Sequence, residues 1–145
     1  MLPWKRVARE MLPELGEAVA NAETPYLLWS ELHGAFERAY DALPRDKSLI
    51  GRIYAFSDWC ARTPRGDTAA DDLLTCVAVC FLEHIPEHPA ARWDMPAWFT
   101  LEELLASRAI FSYHIGDRAF LALADYFRAN SAMDARHPPS VEPDA

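Results

Sequence analysis

Two cysteines and a histidine lie at a spacing that could bind a metal ion. Cys76, Cys80 and His84 follow one another at intervals of four residues, so an α-helix would place them on one face. Thiolate and imidazole groups are the usual ligands of zinc. However, free cysteine is among the most buried residue types, and Pro86 interrupts the spacing between His84 and His88. We therefore interpret the cysteines as buried thiols and predict no metal site.

The sequence contains no motif that identifies an enzyme. It has only five glycines, no glycine-rich phosphate loop, and neither a GxSxG nor a CxxC motif. No catalytic residue and no cofactor can be assigned, and a non-catalytic protein is favoured. The alternative is a small-ligand-binding protein or an enzyme with a pocket between helices. That pocket would be lined by Trp29, Asp58, Arg108, Tyr113 and His114.

A cluster of aromatic residues indicates a surface that binds another protein. Residues 85–100, IPEHPAARWDMPAWFT, contain three prolines and no helical period, which predicts a connection without regular structure. Aromatic side chains with a polar rim are typical of interface hot spots. The predicted partner-binding residues are Glu87, Trp93, Asp94, Met95, Trp98, Glu102 and Glu103. A second interpretation, in which these aromatic residues close one end of the core, stays open.

The negative charge is concentrated in one quarter of the chain. The formal net charge is −8, and residues 67–103 contain eight acidic residues but only one basic residue, Arg92. This distribution argues against nucleic acid as a ligand, because phosphate groups require lysine and arginine. A basic protein partner would instead be attracted. The predicted function is therefore a non-catalytic protein-binding module with an acidic surface.

The residues named above depend on helices for their positions. The stretch 73–82 is almost entirely apolar, which is typical of a helix buried on most sides, although its β-branched residues also permit a buried strand. Thr68 is a suitable N-cap, so we predict a buried central helix over 68–84. The N-cap Thr24, the capping box of Thr100 and Glu103, and apolar stripes predict further helices at 13–21, 25–43, 46–61, 101–114 and 117–129.

Together these elements predict an all-α protein with a single domain. We expect a bundle of about six helices around the central helix, with stacked helical hairpins as one possible arrangement. A chain of 145 residues has the usual length of one domain, which would span residues 1–130. Residues 131–145 lack the apolar content needed to fold and are predicted to form a disordered tail.

The sequence also predicts where the protein resides. No apolar run reaches the roughly 18–20 residues that cross a bilayer, and the N-terminus lacks the apolar core of an export signal. The three cysteines are an odd number, which fits reduced thiols better than a disulfide framework. We therefore predict a cytoplasmic protein that does not bind membranes.

Four segments resemble a family of small uncharacterised bacterial proteins. They are PYLLWSEL at 25–32, SDWC at 57–60, DDLLTCVAVCFLEHIP at 71–86 and IFSYHIG at 110–116. The family is a domain of unknown function, and the resemblance implies an all-helical cytoplasmic protein without assigning any activity or catalytic residue. By analogy with small acidic helical proteins that neutralise toxins, the most specific hypothesis is an immunity-type inhibitor of a basic partner.

Overall fold

The described residues form nine α-helices and three short 3₁₀-helices. The structure, a computed structural model, describes residues 2–66, 68 and 72–136, and contains no strand among them. The α-helices are α1 (Pro3–Met11), α2 (Gly16–Asn21), α3 (Pro25–Asp41), α4 (Lys47–Arg62), α5 (Leu73–Cys80), α6 (Pro89–Asp94), α7 (Leu101–Ala106), α8 (Arg108–Phe111) and α9 (Gly116–Arg136). The 3₁₀-helices are Pro13–Leu15, Leu82–Glu87 and Met95–Ala97. The predicted all-α fold is confirmed.

Two helices begin at the caps that the sequence predicts. The Thr24 side chain accepts a hydrogen bond from the Leu27 N–H at 3.2 Å and begins α3. Thr100 and Glu103 form a reciprocal capping box at the start of α7. Each cap provides an acceptor for backbone N–H groups that have no partner within the helix.

The centre of the protein is a group of aromatic rings from α3, α4 and the residue after α5. The Trp29 ring is stacked on Phe56 at 5.4 Å and on Phe81 at 4.9 Å between ring centroids. Phe36 meets Phe81 edge-on at 4.8 Å. All four side chains are buried. Because stacked and edge-to-face contacts are the favoured geometries of aromatic pairs, these rings fix how the three helices pack.

The central helix is shorter than predicted. It begins after Asp72, whose carboxylate accepts a hydrogen bond from the Thr75 N–H at 3.1 Å, and not after Thr68. Residues 69–71 of the predicted helix lie outside the described residues. The α-helix ends at Cys80, because Phe81 leaves the helical conformation with φ −133° and ψ −64°. The chain then continues as the 3₁₀-helix Leu82–Glu87, which contains Pro86.

Burial of α5 is also one-sided, in contrast to the prediction. Cys76 and Val77 are fully buried, whereas Leu74 and Val79 are about half exposed. This helix therefore carries more apolar residues than it buries. The true centre is the contact of α3 with α4 and α5 rather than α5 alone.

The segment predicted to lack regular structure is helical. His88 caps α6 by accepting a hydrogen bond from the Ala91 N–H at 3.3 Å, and Pro89 occupies the first helical position. Proline is favoured there, because that N–H has no partner in the helix and the ring fixes a helical φ. Prolines in this segment therefore begin short helices, and the prediction of an irregular connection over 85–100 is wrong.

The described region has more helix at its two ends than predicted. α1 adds a helix that buries Trp4, Val7 and Ala8. The helix predicted at 101–114 is divided at Ser107 into α7 and α8. α9 extends to Arg136, so the first residues of the predicted tail are helical, and residues 137–145 lie outside the described residues.

A continuous hydrophobic core joins α1 to α9 and includes residues from Trp4 to Phe127. The described residues therefore form one domain. Within this part of the chain, no helix combines the length and the apolar character that crossing a bilayer would require.

Candidate functional site

Two tryptophans of the predicted binding segment lie partly exposed at the surface. Trp93 is 44% and Trp98 is 38% exposed. Trp98 is stacked on Tyr54 at 4.9 Å, and Trp93 meets Tyr126 edge-on at 4.8 Å. Each indole thus packs on a tyrosine and leaves part of its surface to solvent. We call Trp93, Asp94, Trp98 and the neighbouring Arg45 the tryptophan surface.

Asp94 fixes the geometry of this surface. Its Oδ2 accepts hydrogen bonds from the Tyr40 hydroxyl at 2.6 Å and from Nε1 of Trp98 at 3.1 Å. Arg45 lies 3.8 Å from Oδ1 of Asp94 and above the Tyr40 ring. Burial, together with the hydrogen bond to Asp94, raises the pKa of Tyr40 above its ordinary value. The Tyr40 hydroxyl therefore keeps its proton and remains a donor at neutral pH.

Shallow cavities flank the ion pair between Arg45 and Asp94. One, of about 310 Å³, is lined by both residues and Trp93. Another, of about 280 Å³, is lined by both residues, Lys47 and Trp98. Two basic side chains, Arg45 and Lys47, line these cavities, in addition to the acidic residues that the sequence places around the tryptophans. The ion pair gives the surface both signs of charge.

The other predicted partner-binding residues occupy different environments. Met95 is fully buried and belongs to the core, so its assignment to a binding surface is wrong. Glu102 and Glu103 are exposed on the first turn of α7. Glu103 lines a further cavity, of about 350 Å³, together with Trp98. Glu87 belongs to a separate group of histidines and carboxylates.

The five residues of the alternative ligand pocket have separate surroundings. Trp29 is enclosed in the aromatic core. Asp58 pairs with Arg62 at 2.9 Å on the exposed side of α4, and Arg108 pairs with Asp117 at 3.5 Å. The remaining two, Tyr113 and His114, lie in the turn before α9. The structure therefore does not bring these residues together into the predicted pocket.

Histidines and carboxylates meet on a second surface. The His84 ring has two neighbours, His33 at 5.3 Å and His114 at 4.4 Å between ring centroids. Nδ1 of His84 lies 3.1 Å from Glu87, and Nε2 of His114 lies 3.3 Å from Glu83. Burial lowers the pKa of His33 below its ordinary value. We call these five residues the histidine group.

Three members of the histidine group have converging ligand atoms. The nitrogen or oxygen ligand atoms of His84, Glu87 and His114 all lie within 4.8 Å of one another. In a 3₁₀-helix, residues i and i+3 lie directly above one another, which aligns Glu87 with His84. His114 approaches from the turn before α9. The sequence prediction missed this group because it assumed α-helical spacing at His84 and had no signal for the contact with His114.

The cysteines do not form the considered metal site. All three are free, with Cys60 and Cys76 buried and Cys80 partly buried. Burial raises the pKa of Cys60 to about 12 and also raises that of Cys76 and Cys80. Protonated thiols are poor ligands and poor nucleophiles. The structure thus supports the interpretation of packed thiols.

The chain matches no family model, no curated protein and no solved structure. The resemblance carried by residues 25–32, 57–60, 71–86 and 110–116 stays a prediction.

Proposed function

We propose that the protein is a non-catalytic protein-binding module and that the tryptophan surface is its binding site. The observation that carries the proposal is the pair of indoles, each packed on a tyrosine and partly exposed. Tryptophan and arginine are the residue types most enriched among interface hot spots, alongside tyrosine. Trp93, Trp98 and Arg45 provide both types within one surface.

The indoles are already held in place in the free protein. Nε1 of Trp98 donates to Asp94, and the backbone carbonyl of Trp93 accepts a hydrogen bond from the Tyr126 hydroxyl at 3.1 Å. Ordering a flexible side chain on binding costs about 0.5–1.5 kcal/mol. Preorganised indoles avoid much of this cost, and the adjacent cavities offer space for apolar side chains of the partner.

The charge of the chain indicates the chemistry of the partner. A net charge of −8 attracts a basic protein and speeds the encounter, an effect that salt weakens. The ion pair of Arg45 and Asp94 would face polar groups of both signs. The most specific form of the proposal is a bacterial immunity-type inhibitor that binds a basic toxin. The cytoplasm is the proposed location, because free thiols persist in a reducing compartment.

Affinity capture followed by measurements on the identified partner tests the proposal. The wild type, Trp93→Ala and Trp98→Ala serve as bait, and each basic protein retained only by the wild type is purified. Loss of one buried hot-spot tryptophan costs about 2 kcal/mol, so we expect a dissociation constant about 30-fold higher for each variant. Added salt should slow association of the wild type.

Two further variants separate binding from folding. Leu121→Ala removes a half-exposed apolar residue of α9 and should bind the partner as the wild type does. Ala97→Arg places a bulky charge at the edge of the cavity beside Trp98 without removing a core contact. If Ala97→Arg and the folded tryptophan variants all bind the partner with wild-type affinity, the tryptophan surface is not the binding site.

A further inference from the structure

We propose that the histidine group binds a zinc ion through His84, Glu87 and His114. The site is independent of the tryptophan surface and of the proposed partner. It also departs from the prediction of no metal site, which considered His84 together with the cysteines and did not include His114. The basis is the convergence of two imidazoles and a carboxylate from two elements of the fold.

The distances are close to those that zinc requires. Zinc–nitrogen and zinc–oxygen bonds of 2.0–2.2 Å in a tetrahedral site separate the ligand atoms by about 3.3 Å. The three ligand atoms lie within 4.8 Å of one another, so each separation has to close by no more than about 1.5 Å. Because the His84 and His114 rings are stacked with an angle of 21° between their planes, the exposed His114 ring has to turn so that its nitrogen faces the same ion as His84.

The charges around the site also fit a divalent cation. Glu83 and Glu87 contribute two carboxylates beside the stacked rings of His84 and His114. A carboxylate hydrogen-bonded to a metal-bound imidazole commonly fixes the orientation of the ring, and Glu83 occupies that position 3.3 Å from Nε2 of His114. Glu83 is therefore proposed as a positioning residue rather than a ligand.

The ligand types select among metals. Imidazole nitrogens suit zinc and its neighbours in the transition series, whereas magnesium and calcium prefer sites made of oxygen ligands. Two histidines and one glutamate leave a fourth tetrahedral position for water. The thiols are not competitors for the ion, because Cys76 is buried and burial raises the pKa of both Cys76 and Cys80.

Isothermal titration of the full chain with zinc chloride, after removal of any purification tag, tests the site. We expect one zinc ion per chain and no binding of magnesium. His84→Ala, His114→Ala and Glu87→Gln should each abolish or severely weaken binding, whereas Glu83→Gln should weaken it by about 10- to 100-fold. Substitution of the exposed Glu87 should leave the melting temperature of the metal-free protein unchanged.

The matched control is His88→Asn. His88 lies just after the same 3₁₀-helix and pairs with Asp41, and asparagine can replace it as the cap of α6. This variant should bind zinc with wild-type affinity. The proposal is overturned if the wild type takes up no zinc, or if folded His114→Ala and Glu87→Gln proteins bind it as tightly as the wild type. A thiolate-to-metal absorption band after cobalt substitution would equally overturn it.

Discussion

The tryptophan surface and the histidine group are assembled from the chain in different ways. Trp93 and Trp98 come from one short stretch, and their clustering is visible in the sequence. The histidine group joins His84 to His114, 30 residues later, and exists only because the fold brings the turn before α9 to the 3₁₀-helix. Composition can therefore reveal a surface built from one segment, but not one that depends on a distant contact.

The two surfaces also differ in what stabilises their polar groups. Asp94 has a protonated tyrosine, an indole N–H and an arginine around it, so its charge is compensated within the protein. Glu83 and Glu87 instead face imidazoles, which carry no permanent positive charge. The first arrangement fits a rigid surface for a protein partner, and the second fits an ion site.

The largest expected effect is on a residue that supports both surfaces. Phe81 packs on Trp29 and Tyr54, and Tyr54 carries the ring of Trp98. Phe81 also immediately precedes the 3₁₀-helix that carries His84. We expect Phe81→Ala to lower the free energy of unfolding by about 3–5 kcal/mol, measured by urea denaturation, and to weaken zinc and partner binding together.

Leu74→Ala provides the control for Phe81. Leu74 lies on α5, the helix that ends just before Phe81, but is half exposed, so its replacement should cost only about 0.5 kcal/mol. If Phe81→Ala and Leu74→Ala lose similar amounts of unfolding free energy and of zinc and partner binding, the aromatic core does not support both surfaces.

The next largest effect should be confined to the tryptophan surface. Asp94→Ala leaves the buried Tyr40 hydroxyl without its acceptor, which should cost about 1–3 kcal/mol in urea denaturation. Trp98 also loses its hydrogen bond, so its fluorescence should change. Zinc affinity should stay at the wild-type value, because Asp94 is not part of the histidine group.

Asp58→Ala is the matched carboxylate control for Asp94. Asp58 pairs with Arg62 on the exposed face of α4, and such surface ion pairs contribute about 0–1 kcal/mol. Equal costs for the two aspartates would mean that Asp94 does not hold the tryptophan surface.

A smaller effect concerns the helix that leads into the histidine group. Hydrogen bonds from the Thr75 N–H and hydroxyl lower the pKa of Asp72 below its ordinary value. A lowered folded-state pKa gives stability that is present above the unfolded-state pKa and is lost as the pH falls through the folded-state value. The melting temperature should therefore decrease, partly through Asp72, over the range in which the pH falls below the ordinary aspartate pKa of about 4.

Asp72→Asn isolates this contribution, because asparagine also caps a helix but does not titrate. The difference in melting temperature between the wild type and Asp72→Asn should shrink steadily as the pH falls over this range. A constant difference would show that the carboxylate charge of Asp72 does not contribute.

Local signals in the sequence predicted the parts of the fold that local chemistry determines. Thr24 and the pair Thr100 and Glu103 begin helices as expected, because a cap is decided by residues within one turn. Pro86 and Pro89 were interpreted only as residues that interrupt helices. In the fold, the first lies inside the 3₁₀-helix Leu82–Glu87 and the second begins α6.

The candidate surfaces were predictable to different degrees. Trp93 and Trp98 are exposed, whereas Met95 is buried. The difference follows from the direction in which each side chain leaves the backbone, and the sequence, which shows no helical period here, does not reveal that direction. Arg45 reaches Asp94 from the loop between α3 and α4. The sequence therefore did not show that the tryptophan surface contains a basic residue as well as an acidic one. A contact between distant segments explains this second omission.

The smallest effect expected is a test of how firmly Trp98 is held. A Cβ atom at Gly51 would lie 3.3 Å from the edge of the Trp98 ring, whereas one at Gly34 would meet only the flexible end of Arg38. Both glycines lie inside helices, where alanine is favoured by about 0.5–1 kcal/mol. Because Trp98 is partly exposed, its ring can shift by a few tenths of an ångström, so we expect Gly51→Ala to stabilise the protein by about 0.5 kcal/mol.

The tryptophan fluorescence should change in Gly51→Ala but not in Gly34→Ala. A destabilised Gly51→Ala protein would show that the indole is fixed more tightly than its exposure indicates, and would strengthen the contrast with the mobile side chains required at the histidine group.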